Sequence, residues 1–412
     1  MLSWILMTKS SVSSFIYRLK ISQILLLGLI LRLFCAFLLW DQSNYDIDSY
    51  FLVSQHVLAR EDTYGTDDTL RRHPYLPLQM YWVGIARVLS EQANLPFAFV
   101  VKWAYILADI CLAFVIYDYL KQTSTAEGKK GALLYALNPI ALFISSYHGQ
   151  FDALPLLFSI LGLFALSNHC SWKAGFWLGL GIWVKSFPIL ALPTGVRLVR
   201  TVYDKVVVLS FSLFIPLLGV MFYVWVYNST LQHVFMRAVG YNHGIGVYGY
   251  TYLLRLIALS NESLSPQIKV YLEQSRFVTL GFMIIVWFIA LGKTANPFRI
   301  YFITLLSFMA LTHAFSIQYL VWVIPLAIMV GEERWLLRYT LASFSYAFLV
   351  YNTLINNFSI DNILPWPQAD LWIIIPASIP VWLLSLVWLI SLILPFPLKQ
   401  ISSRQHQNDG KT

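Results

Sequence analysis

The sequence predicts an all-α, polytopic membrane protein, a bundle of about 10 to 12 transmembrane helices forming a single domain over residues 1–412. Three observations predict it. Of the 412 residues, 58% are hydrophobic and only 12% are charged, whereas soluble domains are roughly one-quarter charged. The mean hydropathy is +0.65. Apolar runs of about 17 to 24 residues, long enough for a helix to cross about 30 Å of hydrocarbon, recur from Ile21 to Pro395.

The first run, ISQILLLGLILRLFCAFLLW, follows a positively charged amino terminus without a small-residue cleavage site, and it reads as a retained anchor. Further spans are expected near 96–119, 131–147, 151–168, 206–227, 277–292, 300–316, 319–331, 336–355 and 371–394. Two stretches depart from the pattern. YLPLQMYWVGIARVLS has two prolines around its start and Arg87 near its end, which suits a helix lying at the membrane interface. AGFWLGLGIWVKSFPILALPTGV, residues 174–196, carries Lys185 and Pro188 at its middle, so it is expected to break and to enter and leave on one face.

With these placements one side collects about twice as many lysines and arginines as the other and is assigned to the cytosol, together with a 396–412 tail. The opposite side receives two large loops, 41–95 with its interfacial helices and 228–275. The net charge of +8 is explained by this orientation signal. No stripe of basic and aromatic residues marks a nucleic-acid surface, and Cys35, Cys111 and Cys170 have no CxxC spacing that would mark a zinc site.

Several polar groups fall on the outer side. Asp46 and Asp48, in NYDIDSYF, come directly after the first span. Such a pair is able to hold a divalent cation, Mg or Mn, through oxygen, or to supply a general base. SSYHGQFDALP brings His148 and Asp152 to the junction of two spans, with Gly149 between them. Lys185 can neutralise a phosphate or reach toward headgroups. Arg237, His243, Arg255 and Arg276 belong to the second loop and its borders and suit an anion, while His313 and Gln318 bracket a further turn on the same side. Asp109 is deeper, with Lys102 as its nearest candidate partner. Taken singly, an acidic loop, a snorkelling lysine or a surface arginine is the commoner meaning of each. Their convergence on one face is the informative feature.

The order of these motifs resembles the membrane-embedded GT-C glycosyltransferases that use polyprenyl-phosphate-linked sugars, and within them the first mannosyltransferase of GPI-anchor assembly. The resemblance rests on YDIDSYF, HPYLPLQMYW, LADICLAF, NPIALFISS, VKSFPILALP, YNHGIGVYGY and SIQYLVW in that sequence, from Asp46 to about Pro325. It implies a GT-C-like bundle and inverting transfer of a hexosyl residue, foremost mannosyl, to a lipid-linked or glycan acceptor on the non-cytosolic face. It also implies Asp46 or Asp48 as base or metal ligand, with His148, Asp152, Lys185, Arg237, His243 and Gln318 around the donor phosphate and substrates. The expected partners are the lipid-linked donor, the acceptor and the bilayer, with no nucleic acid. A bacterial plasma membrane is the expected location, the endoplasmic reticulum membrane the alternative. A transporter or flippase for a lipid-linked sugar is the rival, but it would gather its charges at the midplane.

Overall fold

The computed structural model describes residues 18–70, 72–239, 244–354 and 370–394. His243 and the 396–412 tail lie outside them. Among the described residues there is no strand, only an isolated bridge between Ile245 and Ala314. The helices are, in order, α1 (Ile21–Leu38), α2 (Tyr45–Ala59), α3 (Leu78–Ala93), α4 (Phe97–Leu120), α5 (Thr125–Ala136), α6 (Ala153–Ser167), α7 (Ser171–Val184) and α8 (Leu192–Leu198). Then come α9 (Val202–Val226), α10 (Leu231–Val239), α11 (Gly249–Ser260), α12 (Ser265–Lys293), α13 (Pro297–Leu311), α14 (Ile324–Met329), α15 (Glu333–Leu354) and α16 (Ile375–Ile393). Of these α1, α4, α9, α12 and the segment Trp372–Ile393 are long and apolar enough to cross a membrane individually. Several of the other expected spans are assembled from shorter pieces.

The expected 131–147 span is one of these. α5 stops at Ala136 because Pro139 lacks the amide hydrogen needed to continue it, while the Asn138 side chain accepts from the amides of Ile140 and Ala141 and starts a new turn. That turn, Pro139–Leu142, runs directly into a π-helical turn, Phe143–His148. Gly149 closes it at φ +85°.

The proline-broken segment has a similar logic. α7 ends at Val184, Lys185 is extended, and a 3-10 turn over Phe187–Ala191 leads into α8. Both ends of this excursion line one cavity of about 470 Å³, with Ser167, His169 and Ser171 on one side and Leu198, Arg200 and Thr201 on the other. Lys185 is therefore the apex of a hairpin.

α7 is held against α9 by close backbone contact. Gly175 and Gly179 are one turn apart, and a Cβ on them would lie 2.8 Å from the Val208 carbonyl oxygen and 2.7 Å from that of Phe211. Small residues at this spacing let two helices approach where lipid supplies no hydrophobic driving force.

Side chains pack into two apolar cores. The larger joins α5, α6, α13, α14 and parts of α15 and α16. The smaller joins α2, α3 and the start of α4 to Phe151, Val184 and Tyr223. The seam between them passes through residues 151–153, where Phe151 belongs to one core and Ala153 to the other, and through residues 184–187, where Val184 and Phe187 are divided likewise.

Gly179→Val should force α7 off α9 at a cost of about 1–3 kcal/mol, read as a lower thermal midpoint in detergent. An unchanged midpoint would show that this glycine is not a packing contact.

Candidate functional site

The site is built at that seam. Asn44 precedes α2 and its side-chain oxygen accepts from the amides of Asp46 and Ile47, at 2.9 and 3.0 Å, capping the helix. The same side chain donates to the His148 carbonyl at 2.9 Å and to the Tyr351 hydroxyl at 2.6 Å. One asparagine thus fixes the helix carrying the acids to the turn carrying the histidine. Gly149 permits the approach, since a Cβ there would lie 2.8 Å from Ile47 Cδ1.

Within this arrangement Asp46 Oδ2 lies 3.1 Å from His148 Nε2. Its contact is one of ion-pair distance without good hydrogen-bond alignment, and both ring nitrogens of His148 remain unpartnered and buried. Gln150 sits beside them, its Oε1 accepting from the Tyr50 hydroxyl at 2.9 Å and its buried Nε2 without an aligned partner. Burial acts to raise the pKa of Asp46, but the adjacent His148, then Gln150 and the charge of Lys185, outweigh it and hold it below the ordinary value of 3.8. The stability this charge contributes is present above pH 3.8 and is lost as pH falls through the lower folded value.

Asp48 is placed differently. Two residues along one helix, its side chain leaves about 200° away from that of Asp46, and it is exposed and accepts from the Ser43 hydroxyl. The two carboxylates therefore do not converge on one ion. Among the described residues no three His, Cys, Asp or Glu side chains gather as a metal site either. The expected divalent-ion pair does not fit this geometry, because i and i+2 positions of a helix diverge.

Asp152 and Lys185 meet across the seam. Lys185 Nζ donates to both Asp152 oxygens at 2.9 Å, and Trp322 Nε1 donates to Oδ1 at 2.5 Å. The lysine is surrounded by the rings of Tyr75, Phe151, Tyr319 and Trp322, all within 5.1 to 5.9 Å. Lys185 does not reach toward headgroups, because it is buried and neutralised here.

Beyond this pair opens a cavity of about 560 Å³ lined by Tyr75, Lys185, Arg276, His313, Gln318 and Trp322 among others. Arg276 has no carboxylate partner among the described residues and rests on the Phe277 ring. His313 keeps Nδ1 buried and unpartnered. Burial first, and Arg276 second, push the His313 pKa below 6.5. Gln318 accepts from Ser316. The cavity roof is the glycine-rich loop, where Gly244 at φ +81° accepts from the Phe315 amide at 3.0 Å and Tyr248 stacks on Phe315 at 4.0 Å.

Arg237, expected among the anion ligands, donates through Nε and Nη2 to the carbonyls of Tyr64 and Thr66 at 2.9 and 2.8 Å, tying α10 to the first loop, while its buried Nη1 is left without a partner. His233 on the same helix does likewise with Asp62 at 2.7 Å. Asp109 pairs not with Lys102 but with Arg32 of α1, at 2.9 Å. Sequence reasoning missed Asn44, Gln150 and Arg32; an N-cap asparagine before an acidic first turn was the one available signal.

This is the architecture of a multi-pass membrane protein with a polar site between its helices. Its relatives make the class more particular. Residues 38–211 match the profile of the family described as Mannosyltransferase (PIG-V). GPI mannosyltransferase 1 of Debaryomyces hansenii is 27% identical over 255 residues, 57% of this chain, and the match spans 57% of that relative's length. The residues matched by the family profile include Asp46, His148, Asp152 and Lys185. ArnT from Cupriavidus metallidurans, solved bound to undecaprenyl phosphate, is similar at a TM-score of 0.47 and 12% identity, over 90% of this chain and 76% of that one.

Asp152→Asn should leave the Lys185 charge buried without its counter-ion and destabilise the fold by about 3–5 kcal/mol. Thermal unfolding in detergent measures this; a loss below about 1 kcal/mol would mean that the pair is not isolated from water.

Proposed function

We propose that the protein is a membrane glycosyltransferase that moves a hexosyl residue, foremost mannosyl, from a polyprenyl-phosphate donor to a lipid-linked or glycan acceptor, with inversion. The observation that carries this reading is Asp46, an ionised carboxylate flanked by buried donors of His148 and Gln150 that lack aligned partners. Buried orphan donors beside an ionised acid are a signature of a site built for a ligand.

In this reading the acceptor hydroxyl lies against Asp46. As its oxygen forms the new bond to the sugar's anomeric carbon, the proton passes to Asp46 and the bond from that carbon to the phosphate oxygen breaks. The electron pair leaves with the phosphate, toward the cavity lined by Arg276 and His313, with Gln318 as a neutral donor. Low basicity suits Asp46 to this role, because it is fully ionised at neutral pH and takes the proton only as the hydroxyl acquires positive character. No metal step is needed by this scheme. The apolar walls of the cavity, with Leu280 and Met283 of α12, allow the donor's lipid to stay in hydrocarbon surroundings while its phosphate reaches the polar end. The match to the mannosyltransferase family supports the sugar class. Either of the two membranes considered satisfies the chemistry, which requires only a non-cytosolic face.

Asp46→Asn should lower kcat for sugar transfer by about 10²-fold or more, whereas Asp48→Asn should retain activity within about threefold, since that side chain is exposed and faces Ser43. Assays with polyprenyl-phosphate mannose, glucose and arabinose give the test. Equal loss in both variants would return the assignment to the acid pair, and full activity of Asp46→Asn would remove the mechanism.

A further inference from the structure

The π-helical turn Phe143–His148 is an expensive piece of backbone, and it is the piece that carries His148. An ordinary α-turn places successive residues about 100° apart, so the extra residue of a π-turn rotates everything after it relative to the preceding helix. His148 is the last residue of the turn. Three anchors fix the rotation. Asn44 donates to the His148 carbonyl, Lys102 donates to that of Tyr147 at 3.3 Å, and the Ser145 hydroxyl donates to Asp109 Oδ2.

The third anchor has the largest structure behind it. Asp109 is fully buried in α4 and accepts from Arg32 of α1, from the hydroxyl of Tyr135 in α5 and from Ser145. Arg32, also fully buried, donates in addition to the carbonyls of Ala136 and Gly28, at 2.8 and 3.2 Å. A charge pair at this depth is expensive, and an apolar pair of similar volume would hold two helices together as well. What an apolar pair could not do is accept the hydroxyl of Ser145 and so set the turn.

We infer that Asp109, held by Arg32, is a positioning residue for the transfer reaction: through Ser145 it sets the π-turn that aims His148 at Asp46. This rests on the reading of Asp46 and His148 as the reactive centre. Asp109 itself touches neither Asp46 nor the cavity, so its effect must travel through the turn.

Ser145→Ala is the decisive variant, because it removes the link and leaves the Arg32–Asp109 pair intact; the other contacts of that hydroxyl, with the Ala141 carbonyl at 3.0 Å and the Ser146 hydroxyl at 3.4 Å, lie within the same stretch of helix. It should lower kcat by about tenfold with the donor KM unchanged, since the cavity walls are untouched. Combined with His148→Asn it should add almost nothing to the loss from His148→Asn alone. Asp109→Asn should behave the same way where it folds. A second readout does not require transfer: carbethoxylation of His148 by diethyl pyrocarbonate, followed by mass spectrometry, with exposed His233 as internal reference. Ser145→Ala should raise the His148 rate several-fold relative to His233. Additive losses, or an unchanged His148 rate, would overturn the inference and leave Asp109 a structural residue. Should the wild-type chain transfer no sugar from any lipid-phosphate donor, the proposed function fails instead, and the labelling ratio alone decides the positioning role.

Discussion

The ion pair of Asp152 and Lys185 is the constraint on which the rest of the molecule is arranged. Each partner sits in the chain at a point where its neighbours belong to different cores, Phe151 and Ala153 on one side, Val184 and Phe187 on the other. Bringing the two together therefore joins the cores as well as the charges. The lysine is delivered by a helix that must end just there, and Pro188 and the extended Lys185 backbone end it. The aromatic rings around Nζ then do what water would otherwise do, offering π-faces to a cation in a region of low dielectric. Since the pair is neutral overall, the seam carries two strong charges without adding net charge beside the cavity.

The outer loops close over this seam through hydrogen bonds that join them to each other. α10 reaches the first loop with Arg237 and His233, so this helix is tied to it at two points. On its far side the glycine-rich stretch docks on residues 312–316 by backbone pairing, which requires a residue without a side chain: a Cβ on Gly244 would lie 2.1 Å from the Phe315 oxygen. Arg276 and Lys185 both line the cavity beneath this docked stretch, Lys185 with its charge already paired to Asp152.

Much of this is legible in the sequence, for reasons that can be stated. The class follows from hydropathy, because the cost of exposing backbone or charge to lipid dominates every other term. The breaks at Pro139 and Pro188 are both visible as prolines, yet only the second reads as a break, because the apolar run continues through the first. Spacing singles out His148 and Asp152 but does not say with what they pair. Their partners lie 102 residues earlier and 33 residues later, and no local pattern encodes contacts at such separations. Matching Asp109 to Lys102 fails for the same reason, since its partner Arg32 is hidden inside a run that reads only as apolar. Arg237 and Arg276 are indistinguishable as loop arginines. What separates them is whether backbone carbonyls already occupy the guanidinium, which only the folded chain decides. The acid pair is misread as a unit, since one-residue spacing suggests chelation in a loop yet divergence on a helix.

The acids at and behind the seam finally differ in one respect that bears on chemistry. Asp109 accepts three hydrogen bonds from Arg32, Tyr135 and Ser145, and Asp152 accepts three from Lys185 and Trp322. A carboxylate so occupied can take a proton only by giving up a charge-assisted bond, at a cost of about 1.5–3 kcal/mol for each, and it gains nothing by doing so. Asp46 is the exception. Hydrogen-bonding contact with His148, the charge of that ring, a contact with Gln150 and the charge of Lys185 together lower its pKa against burial, yet the donors of His148 and Gln150 meet it without good alignment. The anion is therefore stabilised without being saturated, and an approaching hydroxyl has a lone pair to meet. Asp46 is distinguished by oxygens that no well-aligned donor occupies, whereas the more deeply buried Asp109 and Asp152 have theirs filled by partners from other segments.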